Sequence, residues 1–206
     1  MAVNPETLRS HPTYLPTEPV TLDFHGAPLT EEQFEELCRN SPDLKFELSS
    51  KGELIIVPPT SPESGWKNTK LIARTDNWSE KDDSGLVFDS QTLFTLPNGS
   101  KRSPDVSWMT KEKWDALNPS ERKKFSRVVP DFVIELLSPS DNLVDTQAKM
   151  AEYIENGVSL GWLIDPMEQK VHIYRANGEV EILNDPETVS GEDVLKGFEL
   201  KVRDIW

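Results

Sequence analysis

Residues 132–137 read Phe-Val-Ile-Glu-Leu-Leu, an almost continuously apolar run whose single polar member is Glu135. Pro130-Asp131 precede it and Ser138-Pro139-Ser140 follow it. Such a run is expected as a central strand covered on both faces. It also isolates a charge, because an ionised carboxylate without a partner is costly to desolvate.

A second segment repeats the problem. Arg102-Ser103-Pro104-Asp105-Val106-Ser107-Trp108 again sets an acid against an apolar strand. Behind the Glu135 strand, residues 142–156 read as a helix carrying Lys149, with Tyr153 four residues on at the same helical face. Two acids in neighbouring apolar strands, with a cation on the return helix, suggest that the acids are kept for chemistry. Mg²⁺ or Mn²⁺ takes hard oxygen ligands and retains several waters. Asp105 and Glu135 would supply two of them, and the backbone carbonyl of Leu136 a third. A nearby lysine can position the attacking water or offset charge building on a phosphate.

The rest of the chain organises around this pair. Thr30-Glu31-Glu32-Gln33 is a capping-box pattern opening a helix with Phe34, Leu37 and Cys38 on one face. Residues 44–48 and 53–57 read as a hairpin through Ser-Ser-Lys-Gly, ended by Pro58-Pro59-Thr60-Ser61-Pro62. A helix is expected over 65–79 with Leu71, Ile72 and Trp78 inward. Strands follow near 86–88 and 92–96, and Pro97-Asn98-Gly99-Ser100 is expected to turn the latter into a hairpin with 103–108. Thr110 caps a short helix, and Pro119 begins another helical turn over 120–125. Ser140 or Asp141 is expected to cap the Lys149 helix, and Gly157 to stop it. Strands close the chain near 160–164, 170–174, 179–183 and 199–203. Helices and strands alternate with frequent hairpins, which defines an α/β or α+β domain with a mixed sheet. Residues 1–20 carry four prolines and read as an extended arm, and residues 21–206 as one domain.

A chain of 206 residues with 36% apolar content can bury a core of its own. No run approaches the roughly 20 apolar residues of a membrane-spanning helix. The single cysteine, Cys38, forms no internal disulfide and is expected in packing, so the chain reads as cytoplasmic. Net charge is −14, which argues against broad nucleic-acid binding. Yet between Lys101 and Arg127 eight basic residues face four acids. This island, with Lys101, Arg102, Lys123, Lys124 and Arg127, is either a solvated surface or a phosphate-facing rim beside the site. His11, His25 and His172 have no ligand spacing. Asp131, four residues from Glu135 along one strand, is expected about 13 Å away and structural. Asp165-Pro166 is expected to form a turn. Trp66, Trp78, Trp108, Trp114 and Trp162 are expected in packing.

Residues 102–106, 130–141 and 149–166, with Phe46-Glu47-Leu48 and Gly52-Glu53-Leu54-Ile55-Ile56-Val57-Pro58-Pro59 before them, resemble the Uma2 (DUF820) family. That family, expanded in cyanobacteria, is grouped with restriction endonucleases in the PD-(D/E)XK nuclease superfamily. The resemblance spans about residues 25–206. It implies a restriction-endonuclease-like fold and metal-dependent hydrolysis of phosphodiester bonds in DNA. It also implies Asp105 and Glu135 as metal ligands, Lys149 as the catalytic lysine and Glu47 as a further early acid. The superfamily's usual lysine, two residues after the second acid, is Leu137 here, so Lys149 would have to reach back from the helix. Many Uma2 members carry a histidine where this chain has Glu63-Ser64-Gly65-Trp66, so no histidine role is carried over.

Other classes stay open on the residues alone. They are a nuclease-fold module that binds without cutting, a dimeric structural module, and a hydrolase with a two-carboxylate glycosidase-like site. The lysine favours phosphoryl chemistry, a homodimer is allowed, and convergence of Asp105, Glu135 and Lys149 would separate an enzyme from the rest.

Overall fold

The computed structural model describes residues 18–24, 26–125 and 127–206. Most of the expected N-terminal arm, with His11 and His25, lies outside the described residues. The arm's last residue, Val20, already belongs to a strand, β1 (Val20–Leu22). Helix α1 (Glu31–Asn40) starts at a full capping box, the Thr30 hydroxyl accepting from the Gln33 amide and the Gln33 side chain accepting from the Thr30 amide. Strands β2 (Lys45–Leu48) and β3 (Leu54–Val57) form the expected hairpin, with Leu48 opposite Leu54. Its turn needs Gly52 in the left-handed region, at φ +82°.

Helix α2 (Pro62–Asp82) begins earlier and ends later than expected. Pro62 reads as a strand terminator, but here it sits in the first turn behind the Ser61 cap. Proline suits that position because its missing N–H is one that the first turn leaves unpaired. Strands β4 (Gly85–Asp89), β5 (Phe94–Thr95), β6 (Lys101–Arg102) and β7 (Val106–Thr110) follow. The expected hairpin of 92–96 with 103–108 is corrected: β5 pairs with β6, and β7 belongs to another sheet. The chain crosses between sheets at Ser103-Pro104-Asp105, where Pro104 has no N–H to continue a ladder.

Thr110 caps α3 (Lys111–Ala116), and a 3-10 turn covers Glu121–Lys123. Strand β8 (Phe132–Leu136) is buried at every residue. Helix α4 (Leu143–Glu155) is capped by Asn142 rather than by the expected Ser140 or Asp141, and is followed by Gly157 at φ +103°. Strands β9 (Leu160–Asp165), β10 (Lys170–Arg175), β11 (Val180–Asn184), β12 (Thr188–Ser190) and β13 (Glu199–Lys201) complete the chain.

One sheet runs β1-β3-β2-β6-β5 and the other β11-β10-β9-β8-β7-β4, while β12 and β13 pair alone. In the six-stranded sheet only β8 and β9 are parallel, and α4 is the crossover between them. Leu71, Phe198, Leu200 and Ile205 pack with Trp108, Phe132, Ile134 and Trp162 on one face. Met150 and Tyr153 of α4 pack with Val133, Leu163 and Tyr174 on the other. Full burial of each large apolar side chain contributes about 1.5–3 kcal/mol relative to exposure. Gly161 of β9 lets α4 approach the sheet, since a Cβ there would meet the Met150 Cε at 2.5 Å. A third cluster, Phe34, Phe46, Leu48 and Leu54, joins α1 to the five-stranded sheet. Among the described residues no helix is long and apolar enough to cross a membrane.

Candidate active site

Strands β7 and β8 are antiparallel neighbours with Val106 opposite Ile134. One further step of the same register sets Asp105 opposite Glu135, and directly opposite residues present their side chains to the same face. The two acids therefore come together at one edge of the central strand pair. Asp105 Oδ2 accepts the Leu136 amide at 2.9 Å, and Oδ1 accepts Asn68 Nδ2 of α2 at 3.3 Å. Glu135 Oε1 accepts the Tyr153 hydroxyl at 2.9 Å and meets Lys149 Nζ at 2.9 Å.

Lys149 reaches a second carboxylate. Its Nζ donates to Glu47 Oε1 at 3.0 Å. Glu47 is 3% exposed, accepts the Ser103 amide at 3.0 Å on Oε1 and accepts Arg102 at 3.2 Å on Oε2. Arg102 continues to Glu152 at 2.6 Å, whose other oxygen accepts Asn98 Nδ2 at 2.9 Å. Lys149, Glu152 and Tyr153 share one helical face at spacings of three and four. The helix thus brings a cation, an acid and a phenol to the sheet together. Both Glu47 oxygens are taken by protein donors, so Glu47 acts as the counter-ion of Lys149 and Arg102.

The electrostatics follow from this placement. Burial would raise the Glu47 carboxyl, but Lys149, Arg102 and Lys45 outweigh it and hold the group at about 2. Burial pushes Glu135 up to about 7, with Asp105 and Glu47 adding to the rise against the pull of Lys149. Asp105 is also raised, by burial first. Lys149 is held protonated by Glu135 and Glu47 despite its burial. Five carboxylates (Glu47, Asp105, Glu135, Asp141 and Glu152) act on this centre against three cations, Lys45, Arg102 and Lys149. One lysine cannot neutralise Glu47 and Glu135 together, and Glu135 is the group left under-compensated.

These residues line a cleft of about 1520 Å³ where the five-stranded sheet, α2 and α4 meet the ends of β7 and β8. Asp105, Glu135, Leu136, Lys149 and Glu47 all line it. Hard oxygen donors with surplus negative charge fit Mg²⁺ or Mn²⁺. Among the described residues no three His, Cys, Asp or Glu side chains are grouped to hold a metal ion. Asp105 and Glu135 would therefore be completed by other oxygens, such as the Leu136 carbonyl, and by water.

The basic island, read as either a solvated surface or a phosphate-facing rim, divides in the structure. Lys101 is 3% exposed and pairs with Glu31, and Arg102 is 9% exposed within the Glu47–Glu152 network. Lys123, Lys124 and Arg127 are exposed but lie outside the cleft lining, and Arg127 pairs with Glu31 at 2.9 Å. The lysines lining the cleft beside Lys149 are Lys45 and Lys51. Asp131 accepts the Thr110 amide and pairs with Lys113 at 2.7 Å, and Asp165 accepts the amides of Met167 and Glu168 in a turn. His172 is buried in β10, and Cys38 is half-buried and free. Trp66 departs from the packing expectation, being 50% exposed with Lys70 over its ring at 4.0 Å. Asn68, Lys45 and Glu152 were not singled out by sequence reasoning. Asn68 left a signal, a polar residue three before Leu71 and four before Ile72 on the inward stripe of α2.

A mixed sheet flanked by helices, with two acids on adjacent central strands and a lysine on the crossover helix, defines a restriction-endonuclease-like nuclease fold. A model of the Uma2 family, described as "Putative restriction endonuclease", matches residues 31–203, and the chain belongs to that family. A crystal structure at 1.96 Å of a protein from Anabaena variabilis ATCC 29413, titled a putative nuclease belonging to DUF820, aligns with a TM-score of 0.71 and 22% sequence identity. The alignment covers 86% of this chain and 97% of that one. No curated protein matches in sequence.

Proposed function

We propose that this chain is a divalent-cation-dependent endonuclease that hydrolyses phosphodiester bonds of DNA. The observation that carries the reading is the opposed pair Asp105 and Glu135, with Lys149 on Glu135 at 2.9 Å inside an open cleft. The family and the structural neighbour support a nuclease in general and hence a nucleic-acid substrate.

Asp105, Glu135 and the Leu136 carbonyl would hold the cation. When bound, Mg²⁺ or Mn²⁺ supplies Lewis acidity to a phosphoryl oxygen and lowers the pKa of bound water. The chain's own residues prepare the rest. The Leu136 amide and Asn68 fix the Asp105 carboxylate, and Tyr153 fixes Glu135. Lys149 spends two N–H groups on Glu47 and Glu135. Its third can hold a phosphate oxygen or the attacking water as negative charge builds. Glu47 and Glu135 keep that lysine protonated throughout, so it acts as a fixed cation and donor.

The test is cleavage of plasmid and single-stranded DNA with Mg²⁺ or Mn²⁺, compared with chelator and with Glu135→Ala. Cation-dependent nicking that Glu135→Ala abolishes is expected. Equal cleavage by wild type and variant would overturn the assignment. A second reading, a nuclease-fold module that binds without cutting, rests on the cleft's charge: ten acids line it against four basic residues. Cation binding with no cleavage of any substrate would favour that reading.

A further inference from the structure

We infer that Asn68 supplies a third side-chain oxygen, through its Oδ1, to the cation held by Asp105 and Glu135. The inference rests on the proposed metal-dependent reading of this site and adds a residue to it.

Three observations carry it. The first is the short donor set, since no third His, Cys, Asp or Glu joins the two acids among the described residues. The second is an orphan: Asn68 Oδ1 is buried and has no hydrogen-bond partner among the described residues. Buried polar atoms are almost always satisfied, and an exception calls for an unfilled partner. The third is geometry. Asn68 Nδ2 donates to Asp105 Oδ1 at 3.3 Å, and Asn68 lines the same cleft as both acids. The amide oxygen sits on the same amide carbon as the nitrogen bonded to Asp105, beside that carboxylate in the cleft.

The orientation of the amide is not arbitrary. Turning it over would face its oxygen toward a carboxylate, two acceptors with no proton between them, and strip Asp105 of a donor. With Nδ2 committed to Asp105, Oδ1 can only be completed by a donor or a cation. An amide carbonyl is the kind of hard oxygen that Mg²⁺ and Mn²⁺ accept. Asn68 adds no charge, so it completes coordination without deepening the surplus of negative charge around Glu135. The bland alternative is a single hydrating water on Oδ1, with Asn68 acting only through Nδ2 to orient Asp105.

The experiment is Mn²⁺ binding, read by electron paramagnetic resonance of free Mn²⁺ and by the cation-induced shift in thermal midpoint. The proteins are full-length wild type, Asn68→Ala and Asn68→Asp. Asn68→Ala removes both functions, whereas Asn68→Asp keeps an oxygen and removes the donor to Asp105. Expected is about tenfold weaker Mn²⁺ binding in Asn68→Ala. Binding at or above wild type is expected in Asn68→Asp, with a larger thermal shift. Wild-type affinity in Asn68→Ala would overturn the inference and leave the metal site standing. Equal weakening in both variants would also overturn it, because the Nδ2 bond would then be what matters. Should Asn68→Ala fail to fold, weaker binding by Asn68→Asp alone overturns the oxygen role. Absence of Mn²⁺ binding by wild type would overturn the metal reading and this inference together.

Discussion

The Tyr153 hydroxyl donates to Glu135 Oε1 at 2.9 Å, the same oxygen that Lys149 Nζ approaches at 2.9 Å. Two donors from one helical turn thus converge on one oxygen, and Oε2 is engaged by neither. A carboxylate pinned on one oxygen presents the other in a fixed direction. Tyr153→Phe should leave the ring packing intact and remove only that donor. Expected is a loss of about 1–3 kcal/mol in stability, the range for a buried acceptor losing a partner. Denaturant titration checks the stability, and cleavage assays should show lower turnover with binding of DNA unchanged.

Lys149→Met should be costlier. It leaves Glu47 and Glu135 facing each other across a buried gap, and removing one member of a buried ion pair costs about 3–5 kcal/mol. Urea unfolding of the metal-free protein should show this, and divalent cation should recover part of it. Lys149→Arg should not restore cleavage, because a planar fork cannot serve two acids and a phosphate as a rotating ammonium does.

The two glutamates that Lys149 joins should pull stability in opposite directions with pH. Glu47 falls from an ordinary 4.5 to about 2, so its contribution is complete above 4.5 and lost as pH drops toward 2. Glu135 rises from 4.5 to about 7, so its protonated form stabilises the fold below 4.5 and that contribution is lost as pH climbs through 7. Each limb is worth on the order of 3 kcal/mol. Metal-free protein should be most stable near about pH 4–5 by thermal melting. Glu47→Gln should flatten the acid limb and Glu135→Gln the neutral limb.

Salt dependence should separate the cleft from the basic island. Each phosphate contact adds about −0.9 to the slope of log affinity against log salt on duplex DNA. Lys51→Glu, at the cleft, should weaken binding and reduce that slope. Reversing Lys123 and Lys124 together should leave affinity and slope at wild-type values, measured by fluorescence anisotropy at several salt concentrations. The opposite result would return the nucleic-acid path to the island.

Much of this is legible in the sequence. The apolar run around Glu135 dictates a strand dry on both faces, and β8 is buried throughout. Its Pro-Asp partner segment and the capped helix behind it follow from local chemistry, so the Asp105–Glu135–Lys149 triangle could be anticipated. The site's counter-charges could not. Glu47 and Lys149 are separated by 102 positions, and nothing in either segment specifies the other. The burial of part of the basic island was hidden for the same reason: a linear count of charges is blind to Glu31 and Glu47, which draw Lys101 and Arg102 inside. Pro62 misled because proline both stops strands and starts helices, and the Ser61 cap decides between them.

The position of Glu47 has a consequence for how variants of this protein must be interpreted. It stands in the five-stranded sheet, Glu135 in the six-stranded sheet, and Lys149 clasps both. Whatever its part in the proposed reaction, the lysine is therefore a fastener between the two sheets. Loss of Lys149 would loosen the two sheets whether or not the chain cuts. A homologue that has lost its chemistry can keep Lys149 and Glu47 intact for mechanical reasons, and their retention alone is no mark of a working enzyme. The more informative position is Glu135, whose Oε2 is engaged by neither Lys149 nor Tyr153.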